Sequence, residues 1–341
     1  LIFWVAITPQ SAILSAGCQT TCSLFQEPRA ESLVHGHRMN FCRMTSRATG
    51  LAFALLAVTI FSIQDGVSKH LADNYPAIFI AMMRYWAFAG FAVVLASRSS
   101  GGMTATASTS RPVLQILRGV LLAVQIVVAI MSFATVGLSQ SQAVFQSAPL
   151  LVALLSMPLL GERVGWRRWA AIMIGFVGVI LILKPDAGGF DMHTLLPMAG
   201  AVIYSLYSIT TRLASRTDTA STSFFYTGVA GAVAISLVGP FYWSSFSGND
   251  GYWMAALCAF GIAGHYFLIR AFDYVDAVIV QSMSYLQLVL VTMIGVFIYG
   301  ETLGFNMVLG SVIVVGAGLF TIYREARAGK KPLKMDPSGE L

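Results

Sequence analysis

The chain has 341 residues, 57% of them hydrophobic and only 11% charged, with a net charge of +6. Soluble domains carry about 25% charged residues, so this much apolar surface cannot be hidden inside a water-facing globule, and a membrane protein is expected. The small positive balance excludes a nucleic-acid face of any size, and the placement of the basic residues says more than their number.

Residues 1–38 do not resemble the rest. The apolar run LIFWVAI stops at Pro9, has no basic stretch ahead of it and is too short to span a bilayer. The chain begins with Leu, and Met39 stands just before MNFCRMTSR, so residues 1–38 are expected to be a start-site artefact within an N-terminal tail of residues 1–48. From about Gly50 the sequence is a series of continuous apolar runs of about 20 residues, the length that crosses the hydrocarbon core at 1.5 Å per residue. The expected spans are 50–69, 76–97, 115–136, 140–160, 168–184, 194–212, 221–243, 252–270, 277–299 and 304–323. Continuous rather than alternating runs favour helices over a barrel. The Gly/Ser/Thr-rich 98–111 segment is expected to be a mobile loop, 185–193 to divide two halves, and 325–341 to be a basic tail near anionic lipid. Cys18, Cys22, Cys42 and Cys258 form neither a disulfide framework nor a zinc site.

The most informative stretch runs from Pro149 to Pro185, an apolar helix, a charged hinge and a second apolar helix; a related stretch returns from Tyr285 to Arg324. Gly161-Glu162 matches Gly300-Glu301 and Gly165-Trp166 matches Gly304-Phe305, at a shift of 300 − 161 = 139 residues. An internal repeat of this size decides the architecture. With the N-terminus in the cytosol, basic residues such as Arg43, Arg98, Arg118, Arg167, Arg212, Arg270 and Arg324 fall on the cytosolic side, and the outer loops hold only Lys69 and Lys184. Five spans per repeat is an odd number, so the second copy enters the membrane upside down. Inverted repeats are a recurring architecture of secondary transporters, whose mirrored halves exchange outward-open and inward-open shapes. The expected fold is all-α, about ten transmembrane helices in two inverted five-helix repeats, 49–185 and 193–324.

The stretches Gly137–Pro185, Ser205–Ala214 and Ala263–Glu301, with the duplicated Gly-Glu hinge in its apolar frame, resemble the drug/metabolite transporter superfamily of the EamA type. The resemblance covers nearly everything from Gly50 to Arg324. It implies a ten-helix carrier of small polar metabolites, amino acids, nucleotide sugars, vitamins or drugs. One departure is that Pro149 precedes the first Gly-Glu where the second half has Leu288, which places any helix break in one half alone.

Charged groups at membrane depth are costly and are functional candidates. Asp65 in the first span and Arg84 in the second fall at similar depth in the outer part of the bilayer. Either Asp65 is a proton or cation site and Arg84 anchors an anionic substrate group, or the two form a structural ion pair; Lys69, one turn on, competes for Asp65. Gln142 and Gln146 share one face of the fourth span, and Gln281 and Tyr285 one face of the ninth. These pairs either line a pocket at the repeat interface or act as interhelical glue, and Gln125 belongs with them. Tyr204, Tyr207 and Trp86 could stack on a planar substrate or simply pack; His265 titrates near neutral pH or packs beside Tyr266. The Gly-Glu hinges read as structural: Gly161 and Gly300 suit a positive-φ helix end, placing Glu162 and Glu301 at the start of the following helix. Gly175, Gly178, Gly310, Gly316 and Gly318 are expected to let helices approach closely.

No HExxH, P-loop, GxSxG or CxxC pair is present. The function expected is therefore secondary-active transport of a small metabolite, with a proton as the candidate coupling ion and no cofactor or metal. The partners expected are the substrate and the lipid of a bacterial inner membrane, in a monomer or homodimer with both termini cytosolic. A lipid flippase would share this frame but show a cavity open sideways to the bilayer. A membrane-embedded enzyme needs more ionisable groups than Asp65 and Arg84, and a sensor or scaffold usually carries an added soluble domain.

Overall fold

The computed structural model describes residues 31–99, 101–160, 165–183, 192–272, 274–275 and 277–328, with side chains from Ala48 onward. Most of 1–38, the Gly161-Glu162 hinge, most of the 185–193 link and the end of the tail lie outside the described residues. So does the side chain of Gln281. Every regular element among the described residues is helical: α1 (Glu31–Ala72), α2 (Ala77–Ser97), α3 (Gly102–Ala107), α4 (Pro112–Thr135), α5 (Leu138–Phe145), α6 (Ala148–Leu160), α7 (Trp166–Leu183), α8 (Leu196–Ala214), α9 (Ala220–Ser236), α10 (Asp250–Phe272), α11 (Ala277–Phe297) and α12 (Phe305–Ala328). Two 3-10 turns, Met192–Leu195 and Gly239–Tyr242, complete the order. Among the described residues, five segments are long and apolar enough to cross a membrane: Ala48–Ala72, Ala77–Ser97, Pro112–Thr135, Leu138–Leu159 and Phe305–Arg324. Most of α7 (Trp169–Leu183) and of α11 (Ser282–Phe297) add shorter apolar helices. On α7, Met173, Ile174, Val177 and Ile180 are all exposed on one face, as a lipid-facing helix requires and a soluble one could not afford.

Several boundaries differ from the sequence expectation. α1 starts at Glu31, so a continuous helix runs through residues read as tail. The 98–111 segment contains the short helix α3. α9 stops at Ser236, where Pro240 lies ahead and a 3-10 turn takes over. The fourth span is broken at Gln146–Ser147, just ahead of Pro149, while α11 in the second half runs unbroken.

The packing shows the two halves to be related by inversion. α2 packs on α9, α5 on α11 and α7 on α12; α1 packs on α10 as α4 does on α8; α1 packs on α11 as α6 does on α8. This pattern is unchanged when the halves are exchanged. The paired helices run antiparallel: on α7, Gly175 faces Ala317 and Gly178 faces Gly310 and Val314, so register falls on α12 as it rises on α7. Gly178 and Gly310 let these backbones touch, since a Cβ on Gly178 would sit 2.8 Å from the Gly310 carbonyl oxygen. Gly316, by contrast, faces open space. α2 and α9 are likewise antiparallel, Phe88 and Ala92 facing Gly228 and Tyr85 facing Gly231.

The bundle has two ends with distinct polar ties. At the first end, Tyr75 donates to Asp250 Oδ2 at 2.9 Å and Tyr299 donates to the Gly66 carbonyl at 2.6 Å. At the second, Thr109 and Gln115 donate to Asp218 Oδ2 at 2.5 and 2.7 Å, and Tyr226 to the Ala107 carbonyl. These hydrogen bonds hold the Asp218 carboxyl, outside the spans, below the usual carboxylate range, Thr109 contributing most. The largest apolar core joins α1, α2, α4, α9 and α10 around Leu71, Phe79, Ile80, Met82, Ile130 and Leu257.

Candidate functional site

Asp65 lies 72 − 65 = 7 residues from the end of α1, and Arg84 lies 84 − 77 = 7 residues into α2. At 1.5 Å per residue both stand about 10 Å below the first end. Cys258, 258 − 250 = 8 residues into α10, is level with them. Arg84 is within electrostatic reach of Asp65, Cys258 and His265. It makes no hydrogen bond or ion pair with any described residue. The expected competitor does not compete: Lys69 pairs with Asp73 at 2.7 Å.

The partner of Asp65 comes from the other repeat. Gln287 of α11 donates from Nε2 to Asp65 Oδ2 at 2.9 Å. Gly66 explains why α11 comes near enough, because a Cβ there would lie 2.9 Å from Ile294 Cγ2. One carboxylate oxygen is thus anchored across the repeat interface, and the other has no protein donor among the described residues. A carboxylate held this way can accept a cationic group or a proton, and a free guanidinium at the same depth can take a carboxylate in a bidentate fork.

Aromatic rings flank this pair. His265 lies 5.2 Å from Phe61 edge to face and 5.4 Å from Phe88, and Phe88 lies 4.8 Å from Phe224. Gly264 makes room for Phe61. His265 Nδ1 is 2.7 Å from the Gly261 carbonyl oxygen. A carbonyl only accepts, so Nδ1 carries the proton and, in the neutral ring, Nε2 is left as an acceptor.

The other residues singled out in the sequence separate into two groups. Tyr204 and Tyr207 lie 6.0 Å apart on α8 with their rings tilted by 39°, and Tyr207 lies 5.8 Å beneath the Arg118 guanidinium. Arg118 is 2% exposed. It donates to the Ser223 carbonyl, to Thr227 Oγ1 at 2.6 Å and to Thr211 Oγ1 at 3.4 Å. Gln146 donates to the Ser284 carbonyl at 2.9 Å, which is interhelical glue between α5 and α11. Gln142 is buried beside it, and the buried Tyr285 aims its hydroxyl at Gly318. Gln125 is half-buried on α4 and hydrogen-bonds to no described residue. Trp86 donates to Ser236 Oγ at 2.9 Å and so serves packing. The structure therefore brings Asp65, Arg84 and His265 together, sets Tyr204 and Tyr207 beside Arg118, and leaves Gln142, Gln146 and Tyr285 at the α5–α11 seam.

Three residues make contacts that the sequence does not foretell. Gln287 had no signal beyond being an amide in an apolar run. Arg118 was assigned to a cytosolic end, although Gly119, Ser223 and Thr227 are small enough to admit a buried arginine. Glu301 does not start α12, which begins at Phe305; its carboxylate instead accepts from the backbone N–H of Leu138 at 2.5 Å and of Ser139 at 2.9 Å, the first turn of α5 in the other repeat. No group of three His, Cys, Asp or Glu able to hold a metal ion occurs among the described residues.

This geometry can be set beside known proteins. The S-adenosylmethionine uptake transporter of Rickettsia felis is 29% identical over 283 residues, covering 82% of this chain and 94% of the relative. The riboflavin transporter of Rhizobium johnstonii is 29% identical over 303 residues, covering 84% and 95%. The pseudopaline exporter of Pseudomonas aeruginosa is 26% identical over 275 residues, covering 79% and 94%. A solved crystal structure superposes with a TM-score of 0.53 at 22% identity, covering 84% of this chain and 99% of its own, a likeness of fold alone. The EamA-like transporter family matches residues 48–184 and, as a second copy, residues 192–323. With two such copies over most of its length, the chain belongs to the EamA-like transporter family and is a small-metabolite transporter.

Proposed function

We propose that this transporter is a secondary carrier of the bacterial inner membrane. Its ten spans lie in two inverted halves, both termini are cytosolic, and it works by alternating access. The first end of the bundle, where Lys69 lies, then faces outward, and the second end, with Arg98, Arg111, Arg212 and Arg216, faces the cytosol. The observation that carries the reading is the Arg84 guanidinium, level with Asp65 in the spanning region and without a hydrogen-bond partner among the described residues. A charge at that depth costs about 2.5–3.5 kcal/mol on insertion scales and is kept where a pathway needs it.

Arg84 takes a substrate carboxylate. Asp65, oriented by Gln287, takes a cationic group, and it holds a proton when the substrate has left. Proton and substrate thus compete for one oxygen, which is how a pH gradient drives transport. His265, Phe61 and Phe88 offer ring faces to a planar moiety. The related carriers of S-adenosylmethionine and riboflavin support a ring-bearing substrate, and S-adenosylmethionine supports one that also carries charge. Proteoliposomes tested with S-adenosylmethionine, riboflavin, amino acids and nucleosides, with and without a pH gradient, check the reading. Transport of a charged, ring-bearing compound that is lost in Arg84→Gln supports it. Full transport in Arg84→Gln overturns the site.

A further inference from the structure

At the outer end, Glu301 joins the two repeats in a way that the transport site does not require. Its carboxylate accepts both N–H groups of Leu138 and Ser139, which as first-turn donors have no partner within their own helix. The bonds are charge-assisted, and the carboxylate sits at the positive end of the α5 dipole. The loop that presents it, between α11 and α12, turns at Gly300 (φ 65°), and the Glu301 N–H is tied to the Gly295 carbonyl at 2.9 Å. Two further glycines keep the contact close. Gly137 has φ 104°, and a Cβ there would lie 3.1 Å from Glu301 Oε1. A Cβ on Gly295 would overlap Ser139 Oγ and touch Glu301 Oε2 at 2.5 Å.

What Glu301 grips is a lever. α5 is eight residues long, with positive-φ Gly137 at one end and the break at Gln146–Ser147 at the other. Its far end carries Gln142, and Gln146 is anchored to α11. The contact is not buried in solid packing. It borders a cavity of about 270 Å³ lined by Val136, Gln140, Thr302, Leu303 and Met307 as well as Glu301. A cap that served only stability would not need a hinge at each end of the helix it caps or open space beside it. We propose that the Glu301 carboxylate and the α5 N-terminus form the outer gate latch: joined, they hold the fourth and ninth spans together on the outer side, and their separation swings α5 about Gln146–Ser147 to open the path from outside.

The inference rests on the alternating-access reading, but its test needs no substrate, so the two fail separately. Spin labels are placed at Gln140→Cys, half-buried on α5 beside the cavity, and Leu303→Cys, exposed at the outer end, in a chain whose Cys18, Cys22, Cys42 and Cys258 are serine. Pulsed electron–electron resonance in nanodiscs then reads the distance across the latch. With Glu301 intact a short distance dominates. Glu301→Gln, which presents an amide in place of the carboxylate, shifts most of the population to a distance longer by about 5 Å or more, the scale of a one-turn helix movement. Gly295→Ala leaves the carboxylate in place, favours the helix locally and wedges the latch, and it is expected to shift the population in the same direction. If Glu301→Gln folds and leaves the distribution unchanged, the latch is wrong. If Glu301→Gln does not fold, Gly295→Ala decides by the same criterion.

Discussion

Arg84 and Arg118 both lie at least six residues inside spanning helices, and they are treated in opposite ways. Arg118 is 2% exposed, and both terminal nitrogens of its guanidinium are engaged, by the Ser223 carbonyl, Thr227 and Thr211 over the face of Tyr207, with Nε alone left without a partner among the described residues. Arg84 keeps partial exposure and has no such shell among the described residues, only the field of Asp65 and its neighbours. Both carry a desolvation cost. At Arg118 the protein meets it internally and gains a three-helix clasp of α4, α8 and α9. At Arg84 it is left to water or to a ligand. The difference teaches that an intramembrane charge marks a site only when its hydrogen-bond capacity is left open.

The largest effect should come from Arg84→Gln, a loss of transport of at least about tenfold from one missing charge-assisted contact, with thermal unfolding almost unchanged. Arg118→Gln should do the reverse. It removes the charge-assisted donor from the Ser223 carbonyl and the Thr227 and Thr211 hydroxyls, so stability should fall by about 2–3 kcal/mol, read by denaturant or heat, while transport per folded molecule is retained. Asp65→Asn sharpens the contrast on the coupling side: transport driven by substrate alone persists, and its response to an imposed pH gradient disappears. Full retention of that response removes Asp65 from proton coupling. Gln287→Ala frees the second Asp65 oxygen and should weaken apparent substrate affinity by roughly 3–10-fold, measured as KM.

The smallest effect belongs to Asp218 at the cytosolic end. Its folded pKa is depressed by the Thr109 and Gln115 hydrogen bonds. Its contribution to stability is therefore complete above the unfolded value of about 3.9 and is lost as pH falls through the lower, folded value. The Tm gap between wild type and Asp218→Asn should be constant near neutrality and close below about pH 4. A gap that is independent of pH would show that the carboxylate contributes nothing through its charge.

Much of the architecture was legible. Continuous apolar runs gave the helices, and the 139-residue echo of Gly-Glu gave the repeat, because length and periodicity are local properties of the chain. Asp65 and Arg84 stood out as charges in apolar frames. The rest depended on contacts between distant segments. Gln287 meets Asp65 across 222 positions, and Glu301 caps a helix 162 to 163 positions away, and no local pattern distinguishes either from packing or from capping its own neighbour. The clasp around Arg118 was not legible because its partners Thr211, Ser223 and Thr227 lie on two other helices about 100 positions away. The break before Pro149 was visible as a one-sided proline, but its position three residues earlier was not.

The account's central claim is that Arg84, open to a ligand, handles substrate, and Arg118, clasped by two other helices, holds the bundle. Initial transport rate per folded molecule, measured in matched proteoliposomes for wild type, Arg84→Gln and Arg118→Gln, tests it most directly. The account predicts that Arg84→Gln falls at least about tenfold while Arg118→Gln stays within about twofold of wild type. Equal losses in both variants, or a loss in Arg118→Gln alone, would contradict it.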